Sequence, residues 1–600
     1  MDPGTAVGAI SLVVELFTLC IRGCQVILEI KDFPQKYNYL RVRLDLECLI
    51  LQAWWAASGF TDESTIQVAR QNERGRAAVE SLEQMQSLIL EAYEIKQRHG
   101  HSARSAEVTQ GDSISEQARL LPSNSLEVMI TDGKVLRRCL QYAGGVFSKF
   151  STRLRWVVSD AARFEKLVIR FIDLNRSLYL VLNPEQRDQF LWQQDRTQVE
   201  VLRRRNNVDQ IPELWRSCRC LPSDRNSGRS SQGPNKISLR VLETLARFKA
   251  INTLTTDDGL PYESDAAAQG LLGVSRSDDL KLSLSEVELQ DNQKEDKSQR
   301  VSGTFNGDAV WIEWKCYDVE SSDSYCRFIE RRIEHLTTLL LKNPDNPEKL
   351  HLPAARGYVH DPASARFGLV FESPTSTSIS VPESLYARLQ IVSKPSLTTR
   401  IEMALRLTTS LEYLHVAKWL HKGLRSDNIL FLTSSSSNWT PLCLSGFDYS
   451  RPSGDRTELP TKRGEHDLYR HPEVQFDVPR DGEYGYEEKH DVYSLGVVLM
   501  EIGLWQPIHH VVGLSLNERM RRPDIRRVRE DLLEEKRLAS LESEAGKRFS
   551  EAAKLCLLGN TEPSLDNSES LGNIGENVYS PSNSMDCLQK AKEALQSIII

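Results

Sequence analysis

The side chains of this 600-residue chain best suited to chemistry gather in His421-Lys422-Gly423-Leu424-Arg425-Ser426-Asp427-Asn428-Ile429-Leu430-Phe431 and in the Gly446-Phe447-Asp448 that follows. A histidine, an asparagine and an aspartate lie in these short stretches, and Lys315 and Glu334 stand upstream. Together such groups could hold the phosphates of a nucleotide and a metal ion, which is the chemistry of phosphoryl transfer. Thiol chemistry finds less support. The eleven cysteines are scattered along the chain, the pattern of reduced core cysteines rather than of a disulfide framework. Cys218 and Cys220 form a C-x-C pair without partners at zinc-ligand spacing.

The two stretches resemble the catalytic loop and metal-binding segment of protein kinases. That family expects H-R-D-L-x-x-x-N and then D-F-G, where the first Asp is the base and the Asn and second Asp hold metal ions. Here Gly423 stands at the base position and Gly446 at the D-F-G metal position, while Asn428 is kept. Val310-Trp311-Ile312-Glu313-Trp314-Lys315 occupies the place of the V-A-I-K strand. The resemblance therefore makes Lys315 the nucleotide-binding lysine and Glu334 its ion-pair partner, with Glu330 as the fallback. A solvated lysine at a strand end is the bland alternative. Gly303-Thr304-Phe305-Asn306-Gly307-Asp308 is read as the phosphate-cradling loop, short of two of its three glycines and carrying an aspartate. Gly357 to Val359 and Arg366 to Phe371 read as the next strands, and Thr399 to His415 as the long helix before the loop. Tyr469-Arg470-His471-Pro472-Glu473 falls at the A-P-E position and Asp491 to Gly496 at a large-lobe helix opening. The family assigns scaffold roles to three of these. His421 packs the loop, Asp491 hydrogen-bonds its backbone, and Glu473 pairs with a later arginine. Asp448 could rescue metal binding only by a slip in register. A positioned base contributes about 10² to 10⁴ in rate, and glycine has no side chain for the task. The resemblance thus implies a pseudokinase, with binding of ATP and magnesium weakened or absent.

The elements that must carry these residues belong to a soluble globular chain, 40% hydrophobic and 26% charged. Its length suits two large domains. A net charge of -8 without a clustered basic stretch excludes a nucleic-acid footprint. In the first part, apolar residues at spacings of three and four predict helices over 7–30, 37–57, 77–97, 126–147 and 160–182. Phe33-Pro34 stops the first, Asp160 can cap the last, and the polar 99–123 stretch reads as a loop. Such one-faced helices bury their faces against each other as a bundle.

The opening Gly8 to Leu12, the Phe33-Pro34 break and the stretch from Arg155 to Val168 resemble the HeLo (prion-inhibition and propagation) domain of filamentous fungi. The resemblance implies a helical bundle that in some members executes programmed cell death by releasing its first helix into a membrane. The 6–21 segment is either a buried core helix or one that is core at rest and lipid-facing when released. It falls short of the roughly 20 apolar residues of a span and carries Glu15, costly at a membrane centre. Trp54 and Trp55 suit core packing or a membrane-interface belt. No basic segment precedes the first apolar run, so no secretory signal is read.

Residues 1–215 are thus expected to form an all-α HeLo-like bundle, 216–299 a flexible linker with a short helix near Ser238 to Ala250, and 300–600 an α+β bilobal protein-kinase-like domain. The expected function is signalling or cell death, with the second domain regulating the first. An active serine/threonine kinase with atypical motifs and a non-enzymatic scaffold are the alternatives. The expected partners are a protein, further copies of the chain, and a membrane met through residues 6–21. The expected location is cytoplasmic, with membrane association on activation.

Overall fold

A run of amphipathic segments gives the first part of the chain its helices. The computed structural model describes residues 3–28, 37–60, 73–99, 161–205, 210–219, 234–254, 280–289, 300–341, 350–373, 381–432, 439, 441–453, 464–476, 485–515, 520–559 and 581–598. They fall into two units, Met1–Arg247 and Phe248–Ile600. The first holds α1 (Pro3–Leu28), α2 (Asn38–Ser58), α3 (Glu73–His99), α4 (Ala161–Val181), α5 (Pro184–Arg204) and α6 (Gln210–Arg219), and α7 (Pro234–Leu254) crosses the division. The helices expected over 7–30, 37–57, 77–97 and 160–182 correspond to α1 to α4. The 99–123 loop, the 126–147 helix, Asp160 and the side chain of Glu15 lie outside the described residues. Helices α5 and α6 were not anticipated. Yet Asn183 and Gln186 form a complete capping box with Pro184 in the first turn, a legible start signal.

Helix α2 is the centre of this unit and packs against α1, α4, α5 and α6. Trp55 stacks on Phe17 of α1 with centroids 4.3 Å apart, and Trp54 Nε1 donates to the Leu178 carbonyl at 2.9 Å. Both tryptophans are therefore core residues here. Because α2 is buried nearly all round, its charged side chains need internal partners. Arg43 Nε donates to Glu47 Oε1 at 3.0 Å, Asn175 Nδ2 donates to Glu47 Oε2 at 2.8 Å, and Arg41 caps the Leu28 carbonyl at the end of α1. Among the described residues, no helix is long and apolar enough to cross a membrane.

The second unit opens with a five-stranded antiparallel sheet, β1 (Val287–Leu289), β2 (Arg300–Phe305), β3 (Asp308–Cys316), β4 (Ala355–Asp361) and β5 (Arg366–Glu372), in the order β1-β2-β3-β5-β4. Helix α8 (Asp323–Leu340), capped by Ser322, joins β3 to β4 and packs on β4. The phosphate-loop assignment fails at this point. Gly303 to Phe305 are strand, and Asn306 (φ 50°) and Gly307 (φ 83°) form a two-residue hairpin turn into β3. Asn-Gly with both φ positive is the pairing that a twisted hairpin favours. Gly303 is there for a different reason, since a Cβ on it would overlap the Glu288 carbonyl of β1.

A mainly helical part follows, with α9 (Leu385–Ile391), α10 (Leu397–Val416), α11 (Glu488–Leu504), α12 (Arg522–Leu533), α13 (Glu535–Ala545), α14 (Lys547–Leu558) and α15 (Pro581–Gln596). Short paired strands run between α9 and α11, among them β6 (Ile429–Phe431) and β7 (Leu442–Leu444), the strands that flank the loop residues. Helix α11 is buried along its length and packs against α10, α13, α14 and α15.

Removing one member of a buried charge pair strands the other. Glu47→Ala is therefore expected to destabilise the first unit by about 3–5 kcal/mol. Urea unfolding should show a lowered midpoint with an unchanged slope.

Candidate functional site

One buried carboxylate shapes the loop after α10. Asp491, in the first turn of α11, is fully buried and accepts the His421 amide through Oδ2 and the Lys422 amide through Oδ1, each at 2.8 Å. Tyr486 Oη adds a bond of 2.8 Å to Oδ1, and His415 Nε2 lies 3.2 Å from Oδ2. Burial alone would raise the Asp491 pKa, but hydrogen bonding from His415 and the other donors outweighs it and holds the group at about 2. Clamping both amides helps to hold Lys422 in the left-handed region, φ 62°, uncommon for a residue with a side chain. His421 is buried with its ring 4.9 Å from Phe447, and its Nδ1 accepts the Gly423 amide at 3.2 Å. Burial pushes its pKa down to about 4.

The two glycines sit on either side of one side chain. Asn428 Nδ2 donates to the Gly423 carbonyl at 2.6 Å, and the Asn428 carboxamide lies so close to Gly446 (φ 84°) that a Cβ on that glycine would overlap it. Strand β3 closes the arrangement through Glu313, whose Oε1 accepts Ser445 Oγ at 2.8 Å and whose Oε2 accepts the Gly446 amide at 3.0 Å. Arg300, the first residue of β2, donates from Nε to Glu313 Oε1 at 2.8 Å, from Nη1 to the Asp427 carbonyl at 3.0 Å and from Nη2 to Asn428 Oδ1 at 2.9 Å. The Asn428 oxygen that a metal would need thus faces a guanidinium, and Gly446 offers no carboxylate. Magnesium ligation by Asn428 does not fit this arrangement.

Lys315 Nζ donates to the Asp448 carbonyl at 2.6 Å and lies 5.3 Å from the Tyr449 ring centroid. The Asp448 carboxyl is pushed up in pKa by burial, against the pull of Arg425 and Lys315. On α8, Glu334 and Glu330 both lie within hydrogen-bonding distance of Tyr358 Oη, at 3.0 and 3.1 Å, and Glu330 also takes Lys281 Nζ at 2.6 Å.

Glu473 belongs to a different cluster and, among the described residues, does not pair with an arginine. Its turn lies beside the start of α11, so Oε2 meets Lys489 Nζ at 2.9 Å and His490 Nε2 at 3.2 Å, while Arg529 donates to the Leu557 and Leu558 carbonyls. The His490 bond, ahead of the others, holds the Glu473 carboxyl well below the usual carboxylate range. His471, Glu473 and His490 are close enough to share a metal ion. Their hydrogen bonds argue otherwise. His490 Nδ1 accepts the Glu487 amide at 2.8 Å, so a neutral ring carries its proton on Nε2, aimed at Glu473. A proton and an ammonium already satisfy that carboxylate.

Residues 277–576, half of the chain, match the family model described as a domain of unknown function (DUF7580). The chain belongs to that family. Arg300, Glu313, Asn428, Gly446 and Asp491 all lie in the DUF7580 region. Residues 4–214 match the HeLo model, described as prion-inhibition and propagation, and this match suggests a signalling or cell-death role. A serine/threonine-protein kinase-like protein of Arabidopsis thaliana is 35% identical over 123 residues, 20% of this chain and 33% of the relative. The chain thus spans about a third of the curated relative it matches.

Sequence reading missed Arg300 and Glu313. A signal for Glu313 was present, because strand alternation puts it on the same face of β3 as Lys315. Arg300 gave none, being joined to Asn428 only by the fold.

Buried neutral histidines couple the DUF7580 region to pH. Burial holds His421 at about 4 and His471 at about 3, both below the unfolded value near 6.5. Their depressed pKa values contribute stability that is present above about pH 6.5 and lost as pH falls towards the folded values, because the unfolded chain takes up the protons first. The free energy of urea unfolding should therefore fall between pH 7 and pH 5, by up to about 1.4 kcal/mol per pH unit for each histidine. His421→Asn should flatten that dependence.

Proposed function

We propose that the DUF7580 region is a protein-kinase-like pseudokinase that governs the HeLo bundle in a signalling or cell-death response. The strand order β1-β2-β3-β5-β4, with a helix between β3 and β4, supports a kinase-like small lobe, as does the partial likeness to a kinase-like plant protein. On this reading the phosphate-cradling loop corresponds to the β1–β2 connection. That connection runs Gln290-Asp291-Asn292-Gln293-Lys294-Glu295-Asp296-Lys297-Ser298-Gln299, without a glycine. Glycines are what let backbone amides approach phosphates closely, and this stretch of sequence has none.

One observation carries the loss of catalysis. The loop is held by Asp491 in a fixed shape, the Asn428 carboxamide fills the space a side chain at Gly446 would take, and a Cβ at Gly423 would meet the Gly446 carbonyl at 3.0 Å. The loop is built, and the two positions where kinases carry the base and the principal metal ligand are glycines. The role left to the region is to bind a protein partner or a nucleotide and to restrain or release the bundle. Release of the bundle would let it associate with further copies and with a membrane through residues 6–21.

A phosphotransfer assay on the full chain with ATP and magnesium, beside Lys315→Ala, tests the first half. No turnover that depends on Lys315 is expected, and lysine-dependent turnover would sink the pseudokinase reading. Dye release from anionic vesicles by the full chain, with and without ATP, tests the second. Release under neither condition counts against a membrane role and favours a signalling scaffold.

A further inference from the structure

We infer that the guanidinium of Arg300 is the resident cation of this site, standing in the place of a divalent metal ion, so that the site takes no metal. The identification of that place rests on the kinase-like reading of the loop.

Three oxygens surround the guanidinium. One is the Glu313 carboxylate, one the Asp427 backbone carbonyl and one the Asn428 side-chain carbonyl, at 2.8, 3.0 and 2.9 Å. Carboxylate, backbone carbonyl and side-chain amide oxygens are the donors that hard divalent cations take. Here they surround nitrogen instead. The planar fork matches them, because Nε, Nη1 and Nη2 each reach a different acceptor. The ion pair is shielded, with 15% of the Arg300 side chain and 5% of the Glu313 side chain exposed. Water therefore screens it weakly and a metal could not enter beside it.

Two further cations, Arg425 and Lys315, stand near the site beside the Asp427 and Asp448 carboxylates. Burial lowers the Arg425 pKa, with the positive charge of Arg300 adding to the effect, so the two cations already feel each other. Lys315 Nζ is fixed on the Asp448 carbonyl of the same segment. A divalent ion brought to Asn428 would add to these positive charges and would have to displace Arg300 from Glu313. The connectivity gives the guanidinium a second task. Arg300 and Glu313 belong to β2 and β3, while Asp427, Asn428, Ser445 and Gly446 belong to the loop segments, so one buried pair fastens the sheet to the loop.

Manganese binding to the full chain, followed by the electron paramagnetic resonance of free Mn²⁺ and by thermal unfolding, tests this without reference to phosphotransfer. The wild-type chain is expected to show no binding that Asn428→Ala removes, and no rise in Tm with the metal. Arg300→Ala should lower Tm by roughly 5–10 °C. Through the vacated oxygens it should also gain Mn²⁺ binding that a further Asn428→Ala abolishes. If Arg300→Ala does not fold, Arg300→Lys, which keeps a charge beside Glu313 and loses the fork, should still lower Tm. Asn428-dependent Mn²⁺ binding by the wild type would overturn the inference. So would a folded Arg300→Ala that binds no manganese, or an Arg300→Lys of unchanged Tm. Metal binding in a chain that transfers no phosphate defeats this inference alone, whereas lysine-dependent transfer defeats the pseudokinase reading.

Discussion

The Asp491 carboxylate fixes the geometry on which the rest of the second unit's loop region depends. A buried charge is costly unless it is fully bonded, and Asp491 is bonded by two successive backbone amides, a tyrosine hydroxyl and a histidine. Two amides on one carboxylate leave the chain at His421 and Lys422 little freedom, which is why Lys422 holds a positive φ without glycine. The Gly423 carbonyl is thereby delivered to Asn428, and Asn428 to Gly446.

With the loop set in this way, the two glycines and Arg300 form one consistent arrangement. A side chain at Gly446 would collide with the Asn428 carboxamide, which is held by Arg300 on its oxygen and by the Gly423 carbonyl on its nitrogen. Restoring an aspartate at 446 would therefore meet a filled space, and one at 423 would approach the Gly446 carbonyl and the Asn428 amide. The packing and hydrogen bonding here are built around two glycines, and a side chain at 446 would disturb both.

The legible parts of the chain were those governed by local periodicity. Helices α1 to α4, α7 and α10 followed from apolar residues repeating at three and four, and β3 to β5 from short apolar runs. Helix α5 was equally local and passed unread, although Asn183, Pro184 and Gln186 marked its start. The helices after α11 carried no motif to draw a reading. The phosphate-loop error came from counting glycines, when Asn306-Gly307 between alternating residues was the stronger hairpin signal. Arg300, the pairing of Glu313 with the loop, and the lysine and histidine that take Glu473 were illegible for another reason. Arg300 meets Asn428 across 128 positions and Glu313 meets Gly446 across 133, and such pairings are set by the tertiary fold.

The same reasoning constrains how the first unit could act. The face of α1 that carries Val14, Phe17 and Ile21 is buried within the bundle, with Phe17 stacked on Trp55 and the helix end capped by Arg41. Burying one such side chain contributes about 1.5–3 kcal/mol, so drawing three or more into water would cost as much as many domains have in total stability. Release of α1, as proposed above, therefore requires another apolar surface to receive that face. Any control of the bundle must then act on the contacts that keep α1 against α2 and α3, because those contacts oppose its release.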